Sequence, residues 1–177
     1  MVDESAGPLE FQSRRLAFRP VRRSDKPFLY RLYADPELMK RISDHGGALT
    51  PAQAREKAEA LFKDWARLGF GMFIVSLREN PKEPIGYCGF KSNPEPGTAE
   101  LGYIIDRPWW GQGLASEAAR RCLDLAREEL GLKRLAAVTH PRSTASRKIL
   151  TRLGFERRPD KDGPDQGSVF FESSLVD

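Results

Sequence analysis

The segment over residues 99–122, AELGYIIDRPWWGQGLASEAARRC, decides the fold of this chain. It reads as a strand over 99–106, breaks at two tryptophans, and continues as a helix over about 114–130 with alanines on one face. Gly111 and Gly113 stand directly before that helix, where glycine weakens the helix start and needs a reason. A helix N-terminus exposes unpaired N–H groups and the positive end of the helix dipole, which together bind anions. Because glycine has no side chain to obstruct a phosphate group, the segment predicts a pyrophosphate cradle between the strand and the helix.

Two better-known phosphate motifs do not describe this segment. A G-x-x-x-x-G-K-[ST] loop is excluded because no Lys-Ser/Thr pair follows the glycines. A G-x-G-x-x-G dinucleotide turn is excluded as well, since no β–α–β unit opens the chain. A tight strand-to-helix turn that binds nothing therefore stays open as the alternative to a cradle.

Along the rest of the chain, apolar periodicity predicts one domain with the order β–α–α–β–β–β–α–β–α–β–β. A meander followed by a β–α–β crossover implies a mixed sheet. The expected fold class is α/β (α+β), with about seven mostly antiparallel strands and helices on both faces. Residues 1–13 read as a flexible tail and 14–177 as the domain. Thr50, Pro51 and Gln53 mark the start of the strongest helix, as a capping box with proline at the first helical position.

The composition excludes several classes of protein. The 177 residues suit one domain, and 40% hydrophobic with 31% charged residues predict a globular core. The net charge of +4 is spread along the chain, so no nucleic-acid partner is expected. Apolar runs are too short to span a bilayer and the N-terminus lacks signal-peptide order, so we expect no membrane partner and a cytoplasmic location. Cys88 and Cys122 lie in apolar patterns without metal-ligand spacing, which predicts buried free thiols and no metal site.

Four motifs in register resemble those of one known family. The stretch WWGQGLASEAARRCLDLA over 109–126 resembles the acetyl-CoA segment of the GNAT family of N-acetyltransferases, and more narrowly the W-G-x-G-x-A-[ST]-E-A pattern of its RimJ/RimL-like branch. The stretches RLAFRPVRRSD with LYADPELMKRI, IGYCGF with the strand over 99–106, and VTHPRSTASRKILTRLGFE are similar to further landmarks of that branch, in the same order. The resemblance covers residues 15–156.

The resemblance implies where acetyl-CoA binds. The strands over 99–106 and 133–140 are expected to splay apart, with the pantetheine arm in the opening and the pyrophosphate on the amides of 111–115. Coenzyme contact is thereby assigned to Ile104, Ile105, Trp110, Gly111, Gln112, Gly113, Leu114, Ala115, Ser116, Ser143 and Ser146. Relatives usually have asparagine where this chain has Ser143. Either residue can cap the following helix, and the shorter serine would need a water to reach the coenzyme.

Two residues are expected to carry the chemistry. Ser146 matches the family's serine near the coenzyme sulfur, which implies that it stabilises or protonates the departing thiolate; an ordinary helix serine is the alternative. Glu100 should line the groove and act as a base through water, or bind the substrate ammonium; a solvated carboxylate is the alternative. A backbone N–H near Ile104 is the expected oxyanion donor. His140 is a weaker candidate base, since imidazole titrates near neutral pH.

The expected function is that of an acetyl-CoA-dependent N-acetyltransferase, acting by direct attack of a primary amine in a ternary complex. The acceptor is a small-molecule amine or a peptide N-terminus, as in the ribosomal-protein branch, and the chain is a monomer or a homodimer. A non-catalytic acyl-CoA sensor stays open as a different class. The acceptor site is expected where residues 35–49 and the last loop meet the cleft, and Asp160, Asp162 and Asp165 of that loop either attract a cationic amine or belong to a polar turn.

Overall fold

A single mixed sheet runs through the computed structural model, which describes residues 9–42, 46–163 and 168–176. Its strands are β1 (Phe11–Gln12), β2 (Leu16–Pro20), β3 (Met72–Leu77), β4 (Asn80–Ser92), β5 (Thr98–Ile105), β6 (Arg134–Thr139), β7 (Glu156–Arg157) and β8 (Val169–Ser174). They lie in the order β1-β2-β3-β4-β5-β6-β8-β7. Among the strand pairs in the described ranges, only β5 with β6 is parallel. The predicted mixed, mostly antiparallel sheet is confirmed.

Helices cover both faces of this sheet, as predicted. They are α1 (Lys26–Tyr33), α2 (Pro36–Met39), α3 (Pro51–Leu68), α4 (Leu114–Glu128) and α5 (Thr144–Arg152). Leu101 of β5 packs in the core that α4 and α5 share with the sheet. Ile104 of the same strand points to the opposite core, which contains α1, α2 and α3. Because side chains alternate across a strand, β5 presents one set of residues to each layer of helices.

The sheet has one strand more than the predicted seven. Phe11 and Gln12 pair antiparallel with Phe18 and Ala17 of β2, and the Phe11 ring stacks on the Phe18 ring with centroids 4.5 Å apart. Part of the predicted tail is therefore ordered in the sheet, which begins three residues before the predicted domain start at 14. The tail's residues 1–8 lie outside the described residues.

The strongest local signal has the geometry that the sequence predicts. Thr50 Oγ1 accepts a hydrogen bond from the Gln53 N–H at 3.3 Å, and Gln53 Oε1 accepts one from the Thr50 N–H at 2.9 Å. This capping box starts α3, with Pro51 at the first helical position. Gly69 ends the helix in the left-handed conformation, with φ of 73°.

The parallel strands β5 and β6 separate after three residue pairs. Thr98, Ala99 and Glu100 pair with Arg134, Leu135 and Ala136, and the register goes no further. From residue 101 onward β5 stays paired with β4 on its other side. The two strands therefore form a V-shaped opening in the sheet, which is the splay that the resemblance implies.

Candidate active site

A cleft of about 510 Å³ lies between α2, the end of β5, the loop over 106–113 and α5. We call it the outer cleft. Its lining includes every residue predicted to contact the coenzyme except Gln112. Those lining residues are Ile104, Ile105, Trp110, Gly111, Gly113, Leu114, Ala115, Ser116, Ser143 and Ser146. The motif that the sequence singled out thus forms one wall of a real cavity, and α5 forms the other.

The loop needs glycine at 111 and 113 for two reasons. Its backbone conformation strains other residues, and its N–H groups must stay accessible to a ligand. The φ angles of Gly111 and Gly113 are 76° and 75°, in the left-handed region that strains any residue with a Cβ. A Cβ on Gly111 would meet no atom within 4 Å, so the space before the loop is open. Gly113 is the N-cap of α4, and the first N–H groups of that helix have no acceptor within the helix. The loop can therefore present these N–H groups to an anion.

Arg15, the residue directly before β2, anchors this loop through hydrogen bonds. Its Nη1 donates to the carbonyl oxygen of Gln112 at 2.8 Å, and its Nε donates to Glu117 Oε2 at 2.7 Å. Glu117 Oε1 also accepts from the Arg15 N–H at 2.7 Å and from Ser13 Oγ at 2.6 Å. Burial would raise the pKa of Glu117, but the hydrogen bonds from Ser13 and Arg15 outweigh it and lower that pKa below its ordinary value. Sequence reasoning missed this anchor, because no local pattern links residues 13–15 to residues 112–117.

The outer cleft is positively charged. Arg41, Lys148 and Arg152 line it, and no aspartate or glutamate is among its described lining residues. The Arg41 guanidinium lies 4.7 Å from the centroid of the Trp110 ring, and the Trp110 indole N–H donates to the Ile105 carbonyl oxygen at 2.7 Å. This wall combines an apolar surface with cations, which suits a ligand that carries both an apolar arm and phosphates.

Two hydroxyl groups meet at the inner end of the cleft. The Tyr103 Oη lies 2.8 Å from Ser146 Oγ. Burial raises the pKa of Tyr103 well above its ordinary value, so the phenol keeps its proton at neutral pH. The phenol also donates to the Ser146 carbonyl oxygen at 3.3 Å, and either hydroxyl can be the donor in the Oη–Oγ hydrogen bond. Sequence analysis selected Ser146 but not its partner.

A smaller cavity of about 100 Å³ lies in the V-shaped opening between β5 and β6. We call it the inner cavity. It shares Ile42, Tyr103, Ile104, Ser143 and Ser146 with the outer cleft, so the two spaces meet at these residues. Its further lining residues include Lys57, Tyr87, Lys91, Gly102, Val138, Thr139 and His140. Three of the four large hydrophobic side chains exposed on the described residues, Ile42, Trp110 and Val138, line one or both of these cavities.

Glu100 is not among the residues that line either cavity. Its Oε1 accepts a hydrogen bond from Lys91 Nζ at 3.2 Å, because Lys91 and Glu100 are paired across β4 and β5. Lys91 does line the inner cavity. The carboxylate therefore holds the lysine at the floor of the cavity, which differs from the predicted position in the groove.

The turn before α5 differs from the prediction in one detail. Ser143 is the N-cap residue, but its side chain makes no capping hydrogen bond, because its backbone (φ −86°, ψ 67°) is not extended. Its N–H instead donates to the His140 carbonyl oxygen at 2.8 Å. The Arg142 N–H donates to His140 Nδ1 at 3.1 Å, so the neutral imidazole carries its proton on Nε2. In that form Nε2 is a hydrogen-bond donor and Nδ1 is the acceptor.

The remaining candidates lie away from the two cavities. Cys88 and Cys122 are buried free thiols, as predicted, and burial raises the pKa of Cys88. Asp160 pairs with Arg158 and Asp162 with Arg157, while Asp165 lies outside the described residues. Across the described ranges, no group of three or more His, Cys, Asp or Glu residues is arranged to hold a metal ion. Nor does any described helix combine the length and the apolar character needed to cross a membrane.

Comparisons with known proteins agree with this geometry. A family model described as an acetyltransferase (GNAT) domain matches residues 15–156. The uncharacterized N-acetyltransferase p20 of Bacillus licheniformis is 32% identical over 148 residues, which cover 81% of this chain and 80% of that protein. That relative is named as an N-acetyltransferase.

Solved structures share the fold over nearly the whole chain. An acetyltransferase from Agrobacterium tumefaciens superposes with a TM-score of 0.80 at 25% identity, covering 93% of each chain. The RimL ribosomal L7/L12 α-N-protein acetyltransferase, solved with coenzyme A, superposes with a TM-score of 0.73 at 17% identity, covering 92% of this chain and 95% of that one. The sheet that splits at residue 100, the glycine loop before α4 and the matched family model together show that this chain belongs to the GNAT family and is an acetyltransferase.

Proposed function

We propose that this enzyme transfers the acetyl group of acetyl-CoA to a primary amine, by direct attack of the amine within a ternary complex. The observation that carries the proposal is the junction of the two cavities. The outer cleft and the inner cavity meet at Ile42, Tyr103, Ile104, Ser143 and Ser146, so a donor in one and an acceptor in the other can approach each other there. Bringing two reactants together in this way removes much of the entropic barrier to their reaction.

The residues of the outer cleft fit acetyl-CoA, which supplies an acetyl thioester at the end of a long arm. The N–H groups of residues 111–115 would hold the pyrophosphate, and Arg41 stands close by on Trp110. Lys148 and Arg152 add positive charge along α5. The edge of β5 at Ile104 and Ile105 would hold the arm, since β6 has already diverged from it.

The hydroxyl pair supports leaving-group assistance by Ser146. In this scheme Tyr103 would donate to Ser146 Oγ, and Ser146 would donate its own proton to the departing sulfur. Tyr103 is a positioning residue in this scheme, because it acts through Ser146. A backbone N–H near Ile104 would stabilise the negative charge that develops on the carbonyl oxygen.

The acceptor would enter the inner cavity from the side of α3, whose Lys57 lines it. This cavity is small, about 100 Å³, so only the amine-bearing end of the acceptor would lie inside it. A slender small-molecule amine and the N-terminus of an extended peptide both have such an end. The ribosomal-protein acetyltransferase among the structural neighbours acts on an acceptor of the second kind.

The proposal gives Glu100 a role through Lys91. The ion pair keeps Lys91 Nζ beside the acceptor, where a cation disfavours the protonated form of a bound amine. The acceptor would therefore react as the free amine. In this scheme the proton would leave the nitrogen by way of water.

Titration of the purified protein with acetyl-CoA, followed by a thiol-release screen of small amines and peptides, tests the proposal. Micromolar binding with release of thiol only in the presence of an amine supports the transferase. Binding without release for any acceptor would instead support the acyl-CoA sensor. Absence of binding would overturn both readings of the outer cleft.

A further inference from the structure

Thr139 carries a buried hydroxyl group without a hydrogen-bond partner. The residue is the last of β6 and is 6% exposed. Among the residues that the structure describes, its Oγ1 is the one buried side-chain nitrogen or oxygen atom without a partner. An unpaired buried hydroxyl destabilises a folded protein relative to a methyl group of the same shape. A hydroxyl retained at such a position calls for a partner that the chain itself does not supply.

Thr139 lies at the wall of the inner cavity, together with the hydroxyl pair of Tyr103 and Ser146. The parallel register pairs Ala99 with Leu135, so Tyr103 and Thr139 each lie four residues further along their strands. Both residues therefore lie where β5 and β6 have separated, and both line the inner cavity.

The face of the sheet indicates which ligand group the hydroxyl meets. Leu135 and Ala137 of β6 belong to the core formed with α4 and α5, and Thr139 follows them in the same alternation. Ser146 lies on α5, on that same face. The neighbouring Val138 points to the other face, towards the acceptor side. Thr139 is thus on the side of Ser146.

We propose that Thr139 is a second catalytic hydroxyl, which donates a hydrogen bond to the coenzyme sulfur as it becomes a thiolate. The proposal rests on the proposed function. In the transfer a nitrogen–carbon bond forms and the carbon–sulfur bond breaks. The sulfur keeps the electron pair and gains a proton, and the nitrogen loses one. Ser146 gives its own proton to the sulfur and regains one from the water that takes up the proton of the nitrogen. Thr139 lowers the energy of the sulfur by a hydrogen bond without transferring its own proton.

The test compares Thr139→Val with Thr139→Ser. Valine keeps the shape and removes only the hydroxyl, whereas serine keeps the hydroxyl. We expect Thr139→Val to fold with an unchanged or higher Tm and to lower kcat by about 10- to 100-fold, the effect of losing one hydrogen bond to a charged group. Its KM for acetyl-CoA should change little, and Thr139→Ser should recover most of the activity.

Calorimetry gives a readout that needs no turnover. Wild-type affinity for coenzyme A should rise relative to that for desulfo-coenzyme A as the pH is raised and the thiol ionises. Thr139→Val should reduce this gain and leave the Kd for desulfo-coenzyme A unchanged. Thr151→Val is the matched control, because its hydroxyl donates to the Arg147 carbonyl oxygen at 3.0 Å and it is exposed on α5.

Three outcomes would overturn the proposal. An unchanged kcat in Thr139→Val would remove the catalytic role. Equal weakening of both coenzymes would move the contact to the pantetheine arm, and a clearly lower Tm would reveal a structural partner. If the wild-type protein binds neither coenzyme, the proposed function fails, and this failure is distinct from one seen only in the variant.

Discussion

The Tyr103 phenol oxygen lies 2.8 Å from Ser146 Oγ, and it joins the strand that borders the cleft to the helix that closes it. The two residues are 43 positions apart along the chain. Their contact orients a serine hydroxyl that would otherwise rotate freely or bond to its own helix. The pair should therefore behave as one unit in catalysis.

Removing either member of this pair should lower kcat by unequal amounts. We expect Ser146→Ala to lower kcat by about 100-fold or more, since it removes the proton donor, and Tyr103→Phe by about 10-fold, since it removes only the orienting bond. The double variant should be no slower than Ser146→Ala, because Tyr103 acts through Ser146. Steady-state kinetics of the three variants check this. Additive losses would show that Tyr103 touches the reacting atoms itself.

Substitution of Gly113 should weaken acetyl-CoA binding by more than its loss of folding stability explains. Gly113→Val places a branched side chain at a φ of 75° and should cost about 1–2 kcal/mol of stability, while the Kd for acetyl-CoA rises by at least about 10-fold. Gly131→Val is the control, because Gly131 has a φ of 60° with open space around it and follows α4 at the opposite end from the loop. It should lose similar stability and bind normally. Equal affinity for acetyl-CoA in both variants would contradict the proposed pyrophosphate cradle.

The Glu117 anchor should make stability depend on pH in the acidic range. Because the folded pKa of Glu117 lies below its ordinary value of 4.5, its stabilisation is complete above that value and is lost as the pH falls through the folded pKa. Glu117→Gln should cost about 1–3 kcal/mol at neutral pH, and this gap should shrink at about pH 3. Urea unfolding at both pH values measures it, with the exposed Glu128→Gln as the control on the same helix. A gap that is constant with pH would contradict the assignment.

Substitution of Gly102 should affect the KM for the acceptor and not the binding of the coenzyme. A Cβ at this position would come within 2.8 Å of Met72 Cε and 3.3 Å of Lys91 Cε, both of which are ends of flexible side chains that line the inner cavity. Gly102→Ala should therefore fold, push these side chains into the cavity, and raise the acceptor KM. The Kd for acetyl-CoA should not change. A loss of coenzyme affinity with normal acceptor KM would place the acceptor elsewhere.

Features that depend on neighbouring residues could be predicted from the sequence. The capping box at Thr50, the helix after Gly113 and the alternation of β5 all follow from side chains within a few positions of one another. The position of the glycine loop at the cleft also followed from its neighbours, a strand before and a helix after. These patterns, with the family resemblance, were enough to select ten of the residues that line the outer cleft.

Register and packing between distant segments decided the rest. Strand β1 exists because Phe11 stacks on Phe18, and a two-residue strand has no periodicity of its own. Arg15 reaches Gln112 and Glu117 over 97 and 102 positions, and the pairing of Lys91 with Glu100 turns the predicted base towards a lysine. Thr139 is an ordinary strand threonine in the sequence, and only the packing around it shows that its hydroxyl is buried without a partner. The sequence alone determined the elements and the binding loop, because those depend on local interactions. Only the tertiary structure decided the partner of each polar group, since that depends on which distant residues the fold brings together.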